Sequence, residues 1–313
     1  MGGSPTLSIL IVTYNAEQFL RDCLESIALQ KPSFAFEVIV ADNASTDKSV
    51  ELIRSNFPIV RVIASPVNSG FAAATNRAFA KAAGEYILLL NPDTILNHDA
   101  LERLVNFLRR RPDAGAIGPR IYNQDGSPQR TGVSAPSLWN LLMDTLFLNV
   151  VFPRSRIFGR HRRLYDDPER PREVDCLQGS CLLIRREALN GGPVFDESYF
   201  LYFEETDLCT RLKEAGWKVM YVPDASIIHL GGSGVSYYDA PRILMFHRSF
   251  LVYLQKHSGS LRRLIFRVLL IVRALSRSLF FGGAGLVITG RRAELFNRSQ
   301  GYLRTLSLLA GIE

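Results

Sequence analysis

Along the first 121 residues, short β-branched runs alternate with segments of helical period, the pattern of an α/β domain built on a mostly parallel sheet. The runs predict strands at Leu7–Thr13, Glu37–Ala41, Val60–Ala64, Tyr86–Leu90 and Ala116–Ile121. Between them the spacing predicts helices over Ala16–Leu29, Lys48–Asn56, Gly70–Ala83 and Asp99–Arg110, stopped by Pro32, Pro58, Gly84 and Pro112.

After Tyr122 the rhythm breaks. A Gly/Ser/Pro-rich stretch runs to Pro136, an apolar segment covers Leu138–Phe152, and seven arginines fall between Arg154 and Arg172, which together read as a flexible insertion. A strand at Cys176–Arg185, a helix at Glu205–Ala215 and a strand at Lys218–Val222 resume the α/β pattern. Everything from Ala240 onward has helical period.

Charge sets that last part apart. The chain of 313 residues carries a net +7, yet residues 240–313 alone hold 12 Lys+Arg against 2 Asp+Glu, leaving the remainder at −3. On a helical wheel Arg262, Arg263, Arg267, Arg273 and Arg277 share one arc, while Leu264, Ile265, Val268, Ile271, Val272, Leu275 and Leu279 share the opposite one. Such a helix is expected to lie on an anionic membrane surface, arginines toward the headgroups. Its broad apolar face lacks the interleaved aromatic or polar readers of a nucleic-acid interface, so no nucleic acid is expected as partner. The alternative is that the apolar face packs on protein, either the rest of the chain or a second copy, making a homo-oligomer through the C-terminal helices.

No run reaches the roughly 18 apolar residues of a membrane span, and Met1–Thr6 lacks the basic and apolar regions of a secretory leader. Cys23, Cys176, Cys181 and Cys209 form no C-x-x-C pair, which excludes a zinc ribbon or a thioredoxin-like site. These features point to a cytoplasmic protein, peripheral on the inner face of the cell membrane.

In an open parallel sheet ligands bind at the carboxyl ends of the strands. Thr13-Tyr14-Asn15 follows the first strand and Asp42-Asn43-Ala44-Ser45-Thr46-Asp47 the second. Asp42 could accept hydrogen bonds from a base or ribose and Tyr14 could cover a base, whereas helix capping by Asn15, Thr46 or Asp47 is the plainer use of the same residues. Asn91-Pro92-Asp93 follows the run Tyr86–Leu90; it is good turn chemistry, and it also places a carboxylate where a hard divalent cation could bridge to a diphosphate. Neither a G-x-G-x-x-G nor a P-loop is present, so phosphates must be met by a metal or by side chains.

Glu204-Glu205-Thr206-Asp207 opens a helix after the aromatic run Tyr199–Phe203. Acidic residues in a first turn complement the helix dipole, and two adjacent carboxylates, partly buried, can also serve as a general base. His229 ends an apolar stretch before Gly231-Gly232-Ser233-Gly234, as a structural histidine or a metal ligand.

Taken in order, SILIVTYN, VIVADNASTD, NSGFAAATNRA, GEYILLLNPDT, GSCLLIRREAL, FDESYFLYFEETDLCTRLKEAGWKV and the closing HLGGSG resemble glycosyltransferase family 2, most closely its bacterial rhamnosyltransferase-like members. The resemblance covers about residues 7–260. It implies the GT-A fold, Rossmann-like with a mostly parallel sheet, and sugar transfer from a nucleoside diphosphate donor to an acceptor hydroxyl with inversion. It divides the chain into a catalytic domain over 1–239, with a nucleotide-sugar half at 7–121 and an acceptor half at 122–239, followed by the helical tail 240–313.

Carried over motif by motif, the resemblance implies that Thr13, Tyr14, Asn15, Asp42, Asn43, Asn68, Gly70, Asn76 and Asn91 serve the nucleotide-sugar. Asp93 matches the last carboxylate of the family's D-x-D motif, with Asn91 in the first position, and His229 completes a site for Mg or Mn. Glu205 stands at the catalytic base, supported by Glu204 and Asp207, and Gly179 and Ser180 lie on the acceptor side. The resemblance favours dTDP-rhamnose as donor, with a UDP-sugar (galactofuranose or N-acetylglucosamine) as the alternative. Together with the tail it favours a saccharide acceptor that is polyprenyl-diphosphate-linked or part of a growing envelope polysaccharide. A nucleotidyltransferase would begin with a glycine-rich loop, which TYNAEQF is not. An inactive sugar-nucleotide-binding protein is the remaining alternative, against which stand Asp93, Glu205 and His229.

Overall fold

Strand β1 (Leu7–Thr13) is buried along its whole length, so its near-continuous apolar sequence LSILIVT marks a strand covered on both faces. A computed structural model describes residues 4–162, 166–231 and 239–311. The chain forms two units, one built from residues 4–135, 166–200 and 204–231, the other from 136–162, 201–203 and 239–311.

In the first unit β1 is followed by α1 (Glu17–Ala28), β2 (Phe36–Asn43), α2 (Ser49–Asn56), β3 (Arg61–Ser65), α3 (Phe71–Phe79), β4 (Tyr86–Leu90), β5 (Thr94–Leu96), α4 (Ala100–Arg110) and β6 (Ala114–Tyr122). The short β7 (Pro128–Gln129) and β8 (Gly132–Val133) precede the other unit's first helices, α5 (Leu138–Thr145) and α6 (Leu148–Val151). The first unit resumes with β9 (Arg172–Glu173), β10 (Cys176–Leu177), β11 (Cys181–Arg185), α7 (Glu204–Glu214) and β12 (Lys218–His229).

The main sheet runs β3-β2-β1-β4-β11-β6-β12-β5, with β7 on β6 and β9 on β12. The pairs β3-β2, β2-β1, β1-β4 and β6-β12 are parallel, whereas β11 runs antiparallel to both β4 and β6. Alternation along β1 sends Leu7, Ile9 and Ile11 to one face, with Leu20 and Leu24, and Leu10 and Val12 to the other, with Ala72, Ala74 and Ala78. The parallel strands end together, which sets the motif residues along one edge.

Two expectations change here. The strand expected over Cys176–Arg185 breaks at residues 178–180: β10 pairs with β8 in a separate small sheet, and β11 joins the main one. Residues 122–162, expected as a flexible insertion, hold β7, β8, α5 and α6.

The second unit is completed by α8 (Ala240–His257), α9 (Ser260–Val287) and α10 (Arg292–Ala310). The boundary expected at residue 239 is therefore misplaced, because residues 136–162 belong with the C-terminal helices. The physical reason is Asp144 on α5: Nε of Arg273 donates to its Oδ2 at 2.5 Å, and Nη2 of Arg277 donates to its backbone oxygen at 2.9 Å. The guanidinium of Arg277 also lies over the Phe147 ring, 3.9 Å from its centroid.

The arginine arc of α9 is thus largely the packed arc. Phe266, Leu270, Ala274 and Ser278 on that side are buried, and Nε of Arg267 donates to the carbonyl of Leu309. Arg273 and Arg277, expected to face lipid headgroups, are instead paired with Asp144, while Arg262 and Arg267 stay exposed. The apolar arc, whose packing on the rest of the chain is the alternative expectation, is exposed.

Candidate active site

Thr13 and Asp42 end two neighbouring parallel strands and stand side by side in register. Both are buried, yet the hydroxyl of Thr13 and Oδ1 of Asp42 have no hydrogen-bond partner. The other oxygen of Asp42 accepts from the backbone N–H of Ser45 at 3.1 Å, which fixes the rotamer and leaves Oδ1 as the atom to be satisfied. A buried acceptor left unmade is costly, and its position at a strand end is that of a ligand contact. Tyr14 beside it is 53% exposed.

Asn15, at φ 50°, is exposed; its side-chain oxygen accepts from the backbone N–H of Thr46 at 2.7 Å and its own N–H donates to Ser45. Asp47 accepts from the N–H groups of Glu17 and Ser49, at 3.0 Å each. These residues tie the two loops and helix starts together without being the N-caps expected of them, since those positions are held by Ala16 and Lys48.

Asn43, Asn68 and Gly70 form one network. The Asn43 amide donates to Oδ1 of Asn68 at 2.7 Å and to the carbonyl of Gly70 at 3.1 Å, and its oxygen accepts from Ser69 and from Arg77. Gly70 has φ +87°, and a Cβ there would fall 2.6 Å from the Phe200 carbonyl, so only glycine fits. Asn76 is occupied elsewhere, bonding both backbone groups of Phe195 and the Glu197 carboxylate. Asn43 and Asn76 therefore shape the pocket wall through protein contacts.

Beyond β4 the Asn-Pro-Asp turn is anchored from two sides: the Asn91 N–H donates to the carbonyl of Ser180 at 2.9 Å, and the Cys23 thiol donates to the Asn91 carbonyl at 3.7 Å. Burial pushes the Cys23 thiol up to about 12, so it remains a donor. The turn aims Asp93 at β12, where His229 pairs with Thr94 across the β5-β12 ladder. Nε2 of His229 lies 3.3 Å from Oδ1 of Asp93 but makes no aligned hydrogen bond.

The tautomer of His229 follows from Gln129. Its amide nitrogen donates to the carbonyl of His229 at 2.9 Å, which only an NH2 group can do, so its oxygen is the atom 3.1 Å from Nδ1. Nδ1 must then carry a proton, and in the neutral ring Nε2 turns a buried lone pair toward Asp93. A carboxylate oxygen and an imidazole lone pair side by side fit a divalent cation, and the Gln129 bond is the orienting contact such ligands need. No group of three or more His, Cys, Asp or Glu gathers among the described residues, so a cation here would draw its other ligands from substrate and water. The Gly232-Ser233-Gly234 stretch lies outside the described residues.

On the facing side α7 begins with Glu204 and Glu205. Tyr202 and Phe203 before it both take left-handed backbone, φ 70° and 68°, an uncommon pair for aromatic residues. Burial raises the proton affinity of Glu205, although the backbone N–H groups of the first turn and the Glu204 side chain pull it partly down. Glu204 is raised further, by burial and then by the charge of Glu205. The two carboxyls titrate as one pair whose proton affinity burial raises above the ordinary carboxylate range. Oε2 of each is buried without a partner.

Gly179 abuts Glu205: a Cβ there would meet Cγ of Glu205 at 3.7 Å. The buried Ser180 hydroxyl beside it also lacks a partner. Asp207 is placed differently from its expected supporting role, since Tyr199 donates to one oxygen and Arg211 to the other, at 3.2 and 2.8 Å. It braces α7. Gln129, Cys23 and Arg77 are contributors that the motifs did not single out.

A sheet of this order, with acidic and histidine ligand candidates at its strand ends, defines a GT-A glycosyltransferase. The structure matches a mannosyltransferase, PcManGT, of Pyrobaculum calidifontis, solved with GDP-Man and Mn2+, at a TM-score of 0.56 and 18% identity over 98% of this chain and 85% of that one. It matches GalNAc-T7, solved with UDP, GalNAc and Mn2+, at the same TM-score and identity over 79% and 47%. The sequence family described as Glycosyl transferase family 2 matches residues 8–191. An N-acetylglucosaminyl-diphospho-decaprenol L-rhamnosyltransferase of Mycobacterium tuberculosis is 34% identical over 268 residues, 81% of this chain and 85% of the relative. The chain belongs to glycosyltransferase family 2.

Proposed function

We propose that this glycosyltransferase transfers a hexose, L-rhamnose from dTDP-rhamnose, to a hydroxyl of a polyprenyl-diphosphate-linked saccharide, with inversion at the anomeric carbon. The choice of sugar and acceptor draws support from the mycobacterial relative, whose name specifies rhamnose and N-acetylglucosaminyl-diphospho-decaprenol. The observation that carries the chemistry is the set of buried, unsatisfied atoms at the strand ends: Asp42 Oδ1, His229 Nε2 and Glu205 Oε2.

In this reading Thr13 and Asp42 take the nucleoside, with Tyr14 over the base. Asp93 and His229 hold a Mg or Mn ion. When bound, that ion offsets negative charge on the departing diphosphate. Glu205, ionised and poor in solvation, removes the proton from the acceptor hydroxyl as its oxygen attacks the anomeric carbon from the face opposite the leaving group. Glu204, holding its own proton, keeps Glu205 as the single ionised partner. Gly179 leaves room beside the base for the acceptor ring.

The test is transfer to N-acetylglucosaminyl-diphospho-polyprenol from dTDP-rhamnose, UDP-galactofuranose and UDP-N-acetylglucosamine in parallel, with the anomeric configuration of the product read by NMR. Product from dTDP-rhamnose alone, inverted, is expected. Transfer from a UDP-sugar alone replaces the donor assignment, and retention of configuration removes Glu205 from the role of base.

A further inference from the structure

The exposed apolar arc of α9 is not spent on the fold. Leu261, Leu264, Val268, Val272, Leu275 and Leu279 follow one another at steps of three or four residues, so they form a single stripe. Their exposures of 72, 59, 52, 47, 45 and 76% show that nothing among the described residues covers it. The stripe spans 19 residues, roughly 27 Å of helix axis, and Leu286 and Val287 extend it. Contiguous apolar surface of this length on a basic protein marks a binding face.

Charge decides what binds. The described part of the helical unit holds sixteen arginines and lysines against three acidic residues, Asp144, Asp239 and Glu294. Asp144 is paired with Arg273 and Arg277, Glu294 is paired with Arg291 and Arg298, and Asp239 caps α8. A second copy docked on the stripe would bring like charge against like. An anionic leaflet supplies both an apolar boundary for the stripe and the opposite sign.

We propose that the apolar stripe of α9 lies in the headgroup–acyl boundary of an anionic leaflet, its axis parallel to the surface. No helix among the described residues is long and apolar enough to cross a membrane, and α9 carries Arg273 and Arg277, paired with Asp144, on its far side. The leucines and valines enter the leaflet, while the exposed arginines of the unit contact headgroups around it. The inference goes beyond the transfer reaction and does not depend on it.

The test is flotation of the full chain with vesicles of equal parts phosphatidylglycerol and phosphatidylcholine. The chain is expected to float with them, and the double substitution Val268→Gln, Leu275→Gln to lower the bound fraction at least tenfold with an unchanged melting temperature and circular dichroism. Every arginine remains in that variant, so loss of binding reads the stripe and not net charge. A wild-type chain left at the bottom of the gradient, or a variant that floats equally well, overturns the proposal. So does a dimer in analytical ultracentrifugation that the double substitution makes monomeric, which assigns the stripe to a second copy. None of these readouts involves turnover, so a wrong donor or acceptor leaves the test intact.

Discussion

Nε2 of His229 lies 3.3 Å from Oδ1 of Asp93, and because Gln129 accepts from Nδ1, the neutral ring turns its Nε2 lone pair toward that carboxylate. Two acceptors turned toward each other in a buried place are repulsive until something positive stands between them.

Three substitutions separate ligands from orienting contact. Asp93→Ala and His229→Ala should abolish Mn-dependent transfer. Gln129→Leu keeps both ligands but frees the ring, and should lower Mn affinity or turnover by about 10–100-fold, recoverable in part at higher Mn. Titration of Mn against initial rate checks all three; a Gln129→Leu enzyme with wild-type Mn dependence would falsify the orienting role.

The carboxyl pair yields a kinetic asymmetry. Glu205→Gln should cut kcat by about 10² to 10⁴ with donor affinity little changed, whereas Glu204→Gln, at the position the proposed mechanism keeps neutral, should cost no more than several-fold. Because the base must be ionised and its proton affinity is raised, kcat should climb with pH through a midpoint above the ordinary carboxylate value of 4.5. Single-turnover rates across pH measure this, and equal losses in the two variants would remove the division of labour.

The same pair links stability to pH. A carboxyl whose folded-state proton affinity is raised binds more protons folded than unfolded, so its stabilising contribution is present below 4.5 and lost as pH rises through the raised value. Glu204→Gln cannot ionise. Its denaturant midpoint should therefore fall less than wild type between pH 4.5 and neutrality, and parallel curves would contradict the shift.

Two glycines should part company. Gly70→Ala forces a left-handed alanine, about 1–2 kcal/mol from backbone alone, with its Cβ against the Phe200 carbonyl, so thermal stability should drop clearly. Gly179→Ala meets only ordinary contacts with Glu205, leaving stability within about 0.5 kcal/mol while raising KM for the acceptor more than for the donor. Melting curves and two-substrate kinetics distinguish them.

Asp144→Ala should destabilise the helical unit by roughly 2 kcal/mol, less than for a fully buried pair because the carboxylate is partly exposed. Although burial alone would raise Asp144, Arg273 and Arg277 hold it below its ordinary 3.8, so its contribution is present above that value and lost as pH falls beneath it. Proteolytic susceptibility of residues 240–311, followed from neutral pH to pH 3, reports the loss.

How much of this was legible depends on what reaches across the chain. β1 and β4 appear with the expected bounds because strands buried on both faces write themselves as unbroken apolar runs between turn residues. β7 and β8, two residues each, carry no such signal, and with them went the partnership of Gln129 with His229, 100 positions apart. The polar motif residues were visible, but not which were already satisfied: Asp207 carries the same carboxylate as Asp42, and only its neighbours Tyr199 and Arg211 distinguish it. For α9 the wheel resolved both arcs and could not say which faced inward, since the answer lay in Asp144, 129 residues upstream.

Because that carboxylate and the arginines it receives come from distant stretches, the helical unit has no single point at which it can be cut or exchanged. A chain ending at residue 239 would keep α5 and α6 while stripping Asp144 of both partners and baring Phe147. Transplanting residues 240–311 alone onto a relative would deliver Arg273 and Arg277 without their acceptor. Any swap that respects the physics must carry residues 136–162 along, so recombination among relatives is expected to leave breakpoints flanking both segments and none between Asp239 and Ala240.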